Sequence, residues 1–485
     1  MYQSRLAALR SLQLTDITAR LSSLMTPKTV WIIWGITRAI MLLNLVVGKH
    51  YCDPQFYQYA GDLAVGKFPY INVQVEYPPF ALVMILLPAL PLLPFAGIAP
   101  RPELDPHPWH PDPLRYGAYG TSFGIMMLII DAVTLVLVMR AARMWTKSDS
   151  QGSRTALLYT LLVFASGAVL QKFELLIGTL CLLSIIMLLQ KREGIAWASL
   201  ALATLLKGYP VLLVPVFIIW MYYQNRINWN VVKRSVIGGG IVSAFLLGPI
   251  LLLSGTHPLL YSVIYHRDRG IEIETVWSSI MIVGGWFNGW SPVSYYNPAD
   301  LSADITSIID GPLLQFSSAV LLGTVFWAYI IFARRMQASR RTISRTGAVE
   351  SVVDHVLAMQ LIHVTLLIML VFLLSFKALG LHYLVGILPL VALIRLPGRY
   401  TTVWLTTIIT GLVFGQFTVT FFNELINLQP GAEWLLIIRN TCFVAATVVL
   451  AVTPLLSLWG EAIRRNYHES SAIIATIADP AKSPI

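Results

Sequence analysis

The chain has 485 residues, of which 56% are hydrophobic and 12% charged, against roughly 25% charged residues in a soluble domain. That excludes a soluble globular protein and indicates an all-α polytopic membrane protein whose first partners are membrane lipids. The net charge of +10, from 34 basic and 24 acidic residues, does not point to nucleic acid. The bases collect in short clusters between apolar runs, as orientation signals do.

In chain order, residues 1–28 carry Arg5, Arg10, Arg20 and Lys28 and read as a cytoplasmic N-terminal segment without a signal-peptide cleavage site. The first span candidate, 29–48, leads into an aromatic, proline-punctuated polar loop at 49–78 that contains Asp53, Asp62 and Glu76. Further candidates lie at 78–97, 118–140, 155–170, 173–190, 193–206, 209–222, 235–254, 313–333, 353–375, 381–396, 400–422 and 433–456. With spans of roughly 17–25 apolar residues, the expected bundle has about 11–13 helices. Residues 457–485 read as a cytoplasmic tail. Cys52, Cys181 and Cys442 match no metal-ligand or disulfide spacing.

Basic clusters set the orientation. They are Arg140, Arg143, Lys147 and Arg154; Lys191 and Arg192; Arg226, Lys233 and Arg234; Arg334, Arg335, Arg340, Arg341 and Arg345; and Arg464 with Arg465. From residue 140 onward they fall on every second connection, which places them all in the cytoplasm. The first third fits the same rule if 78–97, broken by Pro88, Pro91 and Pro94, dips in and comes back out; if instead it crosses, the basic 140–154 connection departs from the rule. The long connection 255–311, rich in aromatic residues, then lies outside with the 49–78 loop.

This assignment gathers costly charges on one face. Lys172, Glu174, Lys207, and Lys377 with His382 all fall at the end that carries Asp53, Glu76, His266 and Arg269. A mid-helix Lys, Arg or Asp costs about 2.5–3.5 kcal/mol on the insertion scale. Several together imply a shared anionic ligand or internal salt bridges, and for Lys207 alone snorkelling to the interface is the plain alternative. Cations beside a few carboxylates suit a lipid-linked phosphate donor: the cations hold the departing phosphate and one carboxylate takes the proton of an attacking hydroxyl. Asp53 is the best-placed base, a solvated loop aspartate being the alternative. Glu76, immediately before Tyr77-Pro78-Pro79, either orients an acceptor or caps the following segment. No Walker or HExxH signature suggests an ATPase or a zinc protease. Asp53, Glu76 and Glu274 would suit Mg²⁺ or Mn²⁺ if the fold brings them together. A transporter or flippase of a lipid-linked saccharide would share these features but would show paired internal repeats; the outer loops of the two halves are unrelated in pattern. A non-catalytic scaffold is the third class.

Asp53-x3-Tyr57, Gly66-x2-Pro69-Tyr70 and Tyr77-Pro78-Pro79 resemble the first extracytoplasmic loop of family 87 glycosyltransferases, membrane enzymes of the GT-C class. Lys207-Gly208-Tyr209-Pro210, His266-x2-Arg269-Gly270 through Glu274, Lys377 with His382-Tyr383, and Arg439-Asn440 extend the likeness across roughly residues 30–455. The resemblance implies a GT-C-like catalytic domain over 29–456. It also implies inverting transfer of a hexose, mannose favoured, from a polyprenyl phosphate to a lipid-linked or glycan acceptor on the extracytoplasmic face, with no nucleotide. Asp53 would be the general base. His266, Arg269, Lys377, His382 and Lys207 would hold the donor phosphate, and Glu76, Tyr57, Tyr77, Lys172, Glu174 and Glu274 would bind the acceptor or support the site.

Overall fold

The computed structural model describes residues 26–48, 51–68, 70–104, 111–297, 302–346, 350–397 and 399–453. The expected N-terminal segment up to residue 25, Pro69 of the loop motif, and the tail with Arg464 and Arg465 lie outside the described residues.

Apolar runs between capping residues become the helices. Thr26 accepts a hydrogen bond from Thr29 N at the head of α1 (Pro27–Val47), and Asp112 accepts from Leu114 N and Arg115 N at the head of α4 (Pro113–Thr146). Each has proline at its first position, where a missing N–H costs nothing. Ser148 opens α5 (Asp149–Ser166), and Gly167, at φ +63°, closes it in the left-handed conformation that glycine adopts without strain. Among the described residues, seven helices are long and apolar enough to cross a membrane: Pro27–Val47, Pro113–Thr146, Trp229–Ser254, Asp310–Arg341, Val356–Ser375, Tyr400–Thr420 and Pro430–Val452. Shorter apolar helices, among them Glu174–Leu189, Glu193–Leu206 and Leu381–Leu393, pack between them. The chain is a multi-pass membrane protein.

The bundle has two distinct ends. At one, Lys172 bonds Asp53, Lys207 bonds Glu174, and Ser262 donates to Glu76 O. At the other, Arg143 pairs with Asp149, Arg226 with Glu193, Arg395 donates to Thr155 Oγ1, and Arg335 to Ala451 O. The basic connections thus collect at the end opposite the charged site.

The 78–97 region does not cross. α3 (Pro79–Leu86) and a 3₁₀ turn, Leu87–Leu92, run down beside α4, with Tyr119 OH donating to Ile85 O and Ser122 Oγ to Pro88 O. The chain then returns to the end it left. Arg101 N donates to Tyr57 OH at 3.3 Å, and a Cβ on Gly61 would fall 1.9 Å from Pro102 Cδ. The prolines explain this: each removes a helical N–H, so the element ends at partial depth.

Mid-bundle, α1, α4 and α5 are joined by a buried polar knot. Asp131 accepts from Arg38 Nε at 2.7 Å, Trp34 Nε1 at 2.6 Å and Tyr159 OH at 2.5 Å, while Arg38 Nη1 donates to Thr160 O. Both charged side chains are buried, so the pair holds only because its hydrogen bonds are complete.

Neither of the long connections 49–78 and 255–311 is irregular throughout. The first contains α2 (Pro54–Ala64). The second folds into a helix at His257–Asp268, β1 (Ile271–Glu272), a helix at Val276–Asn288, β2 (Val293–Asn297) and β3 (Ser302–Thr306). The strands form a small antiparallel sheet in the order β1-β3-β2, which the sequence reading did not anticipate. Ile271, Ala303 and Ile305 of the sheet share an apolar cluster with Trp277, Met281 and Leu436.

Candidate active site

Asp53 is held at the head of α2. Its Oδ1 accepts from Gln55 N at 3.0 Å, and its Oδ2 accepts from Lys172 Nζ at 2.6 Å. Burial pushes the Asp53 carboxyl up, but the adjacent ammonium outweighs it, so the group sits below the usual carboxylate range. Burial also opposes the charge on Lys172, yet Asp53 and Glu174 hold it above its ordinary value. The Lys172 ammonium lies 5.2 Å from the centre of the Phe56 ring, which stacks on Phe173 and meets Tyr77 edge to face. The aromatic residues of the loop therefore form the wall against which this ion pair is pinned.

From Lys172 the charges continue inward. Glu174 opens α6 (Glu174–Leu189), and its Oε1 accepts from Lys207 Nζ at 2.6 Å and lies 3.8 Å from His382 Nε2. Its Oε2 is buried with no hydrogen-bond partner among the described residues. Lys207 follows α7 (Glu193–Leu206), where Gly208-Tyr209-Pro210 breaks the helix, and its ammonium sits 3.6 Å from the centre of the Tyr383 ring. It is paired inside the protein instead of snorkelling. Asp53, Lys172, Glu174, Lys207, His382 and Tyr383 thus form one continuous group drawn from four separate segments.

Lys207 also lies on the wall of a cleft of ≈ 300 Å³. Pro79, Leu205, Leu247 and Val263 make its sides apolar, and His266 shares the wall with Lys207. His266 Nδ1 is buried without a hydrogen-bond partner among the described residues. Burial, then the charges of Lys207, Arg269 and Lys377, push this imidazole down to about 4, so it is neutral near pH 7. Arg269 Nη2 bonds Glu272 Oε1 at 3.1 Å, and its Nε is buried without a hydrogen-bond partner among the described residues. Lys377 Nζ donates to Arg267 O at 2.7 Å and to Arg269 O, and its own carbonyl accepts from Glu272 N at 2.9 Å. Lys377 therefore fastens the 266–272 segment through backbone oxygens.

Other sequence candidates have partners that give them positioning roles. Glu76 caps no helix. Its Oε2 accepts from Tyr59 OH at 2.6 Å and Gln55 Nε2 at 3.0 Å, and burial raises its carboxyl despite the tyrosine. Tyr57 is fully buried against Tyr116 and Tyr119. Glu274 accepts from Arg439 Nη1 at 2.8 Å, and Asn440 beside it donates to Thr275 O. Burial raises Glu274, with Arg439 opposing. The three carboxylates considered for Mg²⁺ or Mn²⁺ are not brought together: Asp53 serves Lys172, Glu76 serves Tyr59 and Glu274 serves Arg439. No group of three or more His, Cys, Asp or Glu placed to hold a metal occurs among the described residues. Sequence reasoning missed Tyr59 and Gln55, whose only signal was spacing from Asp53 along one helix.

No family model matches this chain, and no curated protein matches it. Among solved structures, it is similar to the crystal structure of ArnT from Cupriavidus metallidurans bound to undecaprenyl phosphate. The likeness is remote. It has a TM-score of 0.43 and 13% identity, covering 87% of this chain and 77% of that one. At that level it carries no argument about activity, and the resemblance to family 87 rests on the motif residues alone.

Proposed function

We propose that this protein is a membrane glycosyltransferase of the GT-C type, moving a hexose, mannose in the first instance, from a polyprenyl phosphate to a lipid-linked or glycan acceptor. The observation that supports the reading best is the apolar cleft ending at Lys207 and His266, joined through Glu174 and Lys172 to Asp53. An isoprenoid chain suits the apolar walls, and its phosphate suits a cation and a neutral imidazole. The basic connections gather at the opposite end, so by the positive-inside rule the site faces away from the cytoplasm.

In this mechanism the acceptor hydroxyl oxygen attacks the anomeric carbon as the bond from that carbon to the phosphate oxygen breaks. The electron pair leaves with polyprenyl phosphate, whose charge Lys207 and His266 meet. The hydroxyl proton passes to Asp53, which Lys172 keeps ionised and aimed. A single displacement inverts the anomeric configuration and requires no covalent sugar–protein intermediate.

The test is product analysis in proteoliposomes with a panel of polyprenyl-phosphate hexoses, with and without chelator. The expected outcome is one donor that yields glycoside of opposite anomeric configuration and an equal amount of polyprenyl phosphate. Failure of every donor would refute the reading, and movement of intact lipid-linked sugar across the bilayer would establish the transporter instead.

A further inference from the structure

At the end of the bundle away from the charged site, a buried carboxylate draws three basic segments together. Glu193, at the head of α7, is 2% exposed; Arg226 Nη2 donates to its Oε1, and Arg234 Nη2 stands 3.5 Å from its Oε2. Arg226 Nη1 donates to Leu188 O at 2.9 Å, just before the turn that carries Lys191 and Arg192. A Cβ on Gly194 would lie 3.4 Å from Arg234 O, and one on Gly238 would lie 2.0 Å from Gly194 O. Here α7 and the helix Trp229–Ser254 therefore meet backbone to backbone. Lys191, Arg192, Lys233 and Arg234 are all exposed around this contact. Glu193 is the sole carboxylate in residues 190–234, and Arg226 and Arg234 take it up. Lys191, Arg192 and Lys233 thus meet no carboxylate among the described residues. At another basic connection of this end, by contrast, Arg143 pairs with Asp149.

We infer that this junction binds the headgroup of an anionic phospholipid, which clamps α7 to the helix Trp229–Ser254. Trp229, 76% exposed at the head of that helix, sets the level: exposed tryptophan belongs at the headgroup boundary, and the cations lie within a turn or so of it. A basic junction between helices at that depth suits a lipid phosphate. The donor phosphate is not the ligand, because Arg234 lies 13 residues from Leu247 of the cleft, about 20 Å along the helix. A clamp has work to do here. Only Val231 and Ser235 of the helix Trp229–Ser254 are buried, so little protein holds it in place. Further along, the same two helices form the cleft: α7 carries Leu205 and leads into Lys207, and its neighbour carries Leu247. The inference is independent of the chemistry proposed at that cleft.

The experiment titrates dioctanoyl-phosphatidylglycerol, dioctanoyl-phosphatidylcholine or inorganic phosphate onto the full chain in detergent. Native mass spectrometry counts bound lipid, and heating gives the unfolding midpoint. Phosphatidylglycerol should bind and raise the midpoint, both effects weakening as salt rises past about 0.15 M. Phosphatidylcholine and inorganic phosphate should do neither. Lys191→Gln/Arg192→Gln/Lys233→Gln keeps the Arg226–Glu193–Arg234 group and should lose affinity about a hundredfold, the scale for three basic residues at a membrane surface. Arg140→Gln/Lys147→Gln/Arg154→Gln removes the same charge from another connection and should bind within about threefold of the parent. Equal loss in the two triple variants would overturn the site, reducing it to net charge. An equal response to phosphatidylcholine, or a midpoint raised as much by inorganic phosphate, would overturn it too. Binding with no rise in the midpoint would overturn the clamp. Failure of phosphatidylglycerol to bind the parent would overturn the inference without any variant and leave the surface to an acidic protein partner.

Discussion

Replacing Lys207 by Met leaves the Glu174 carboxylate, whose side chain is 3% exposed, without the ammonium that stands 2.6 Å from its Oε1. His382 is 3.8 Å away, the Lys172 ammonium acts on Glu174 without a hydrogen bond to it, and Oε2 has no hydrogen-bond partner among the described residues. Two magnitudes compete. An interhelical hydrogen bond in a membrane protein averages about 0.6 kcal/mol, whereas stranding a buried charge costs about 3–5 kcal/mol. With Glu174 so enclosed, the larger figure applies to Lys207→Met. The double variant Lys207→Met/Glu174→Leu should recover most of that loss, since replacing both partners by apolar groups is often neutral or stabilising. Transfer should not recover, because Lys207 also faces the cleft where the donor phosphate is proposed to sit. Denaturant unfolding of the detergent-purified protein and donor kinetics in proteoliposomes read the two effects separately. A single variant as stable as the double would refute the buried-pair argument. A double variant with parental donor KM would show that Lys207 only neutralises Glu174.

Lys172→Met removes the charge that holds Asp53 below its ordinary range, leaving burial to push the carboxyl up. The acid limb of the pH–rate profile should then move to higher pH, and a limb that stays in place would show that Lys172 does not set the ionisation of Asp53. His266, pushed down to about 4 by burial and its cationic neighbours, binds a proton less readily folded than unfolded, where the free value is about 6.5. Its contribution to stability is present above about 6.5 and is lost as pH falls towards 4. Unfolding midpoints measured from pH 7 to pH 4 should fall less steeply in His266→Gln, and parallel curves would contradict the assignment. Gly178→Ala would place a Cβ 1.9 Å from Gly386 O, backbone that cannot swing aside, so the yield of folded protein should drop sharply in size-exclusion chromatography. A monodisperse variant at parental yield would show that α6 can withdraw from residue 386.

Much of this architecture can be read from residue order. Apolar runs alternate with basic clusters, so the two ends of the bundle separate without any coordinates. Pro88, Pro91 and Pro94 leave both a crossing and a turning back open, and the segment turns back. What the sequence does not encode is pairing. Lys172 reaches Asp53 across 119 positions and Lys207 reaches Glu174 across 33, and no local pattern links such partners. Glu76 illustrates the cost: next to Pro78-Pro79 it reads as a cap or an acceptor ligand, but Tyr59 and Gln55 of α2 occupy it. The Arg38–Asp131 knot was detectable, since each is a charge within an apolar run. It differs from the site charges in lying within spans and not at their ends. The sheet was hidden for another reason: β2 and β3 are five residues each, and the aromatic run in β2 reads equally well as an interface belt.

In the proposed reaction Asp53 receives the acceptor's proton during sugar transfer from a polyprenyl phosphate. The most direct measurement is single-turnover transfer in proteoliposomes by the parent and Asp53→Asn, with donor binding determined on the same preparations. Asparagine keeps the size and a side-chain oxygen that can still accept from Gln55 N, but it cannot take a proton at neutral pH. Asp53→Asn is expected to bind donor within a few-fold of the parent and to lose nearly all transfer, by about 10²–10⁴-fold. Parental turnover in Asp53→Asn, alongside parental donor binding, would contradict it.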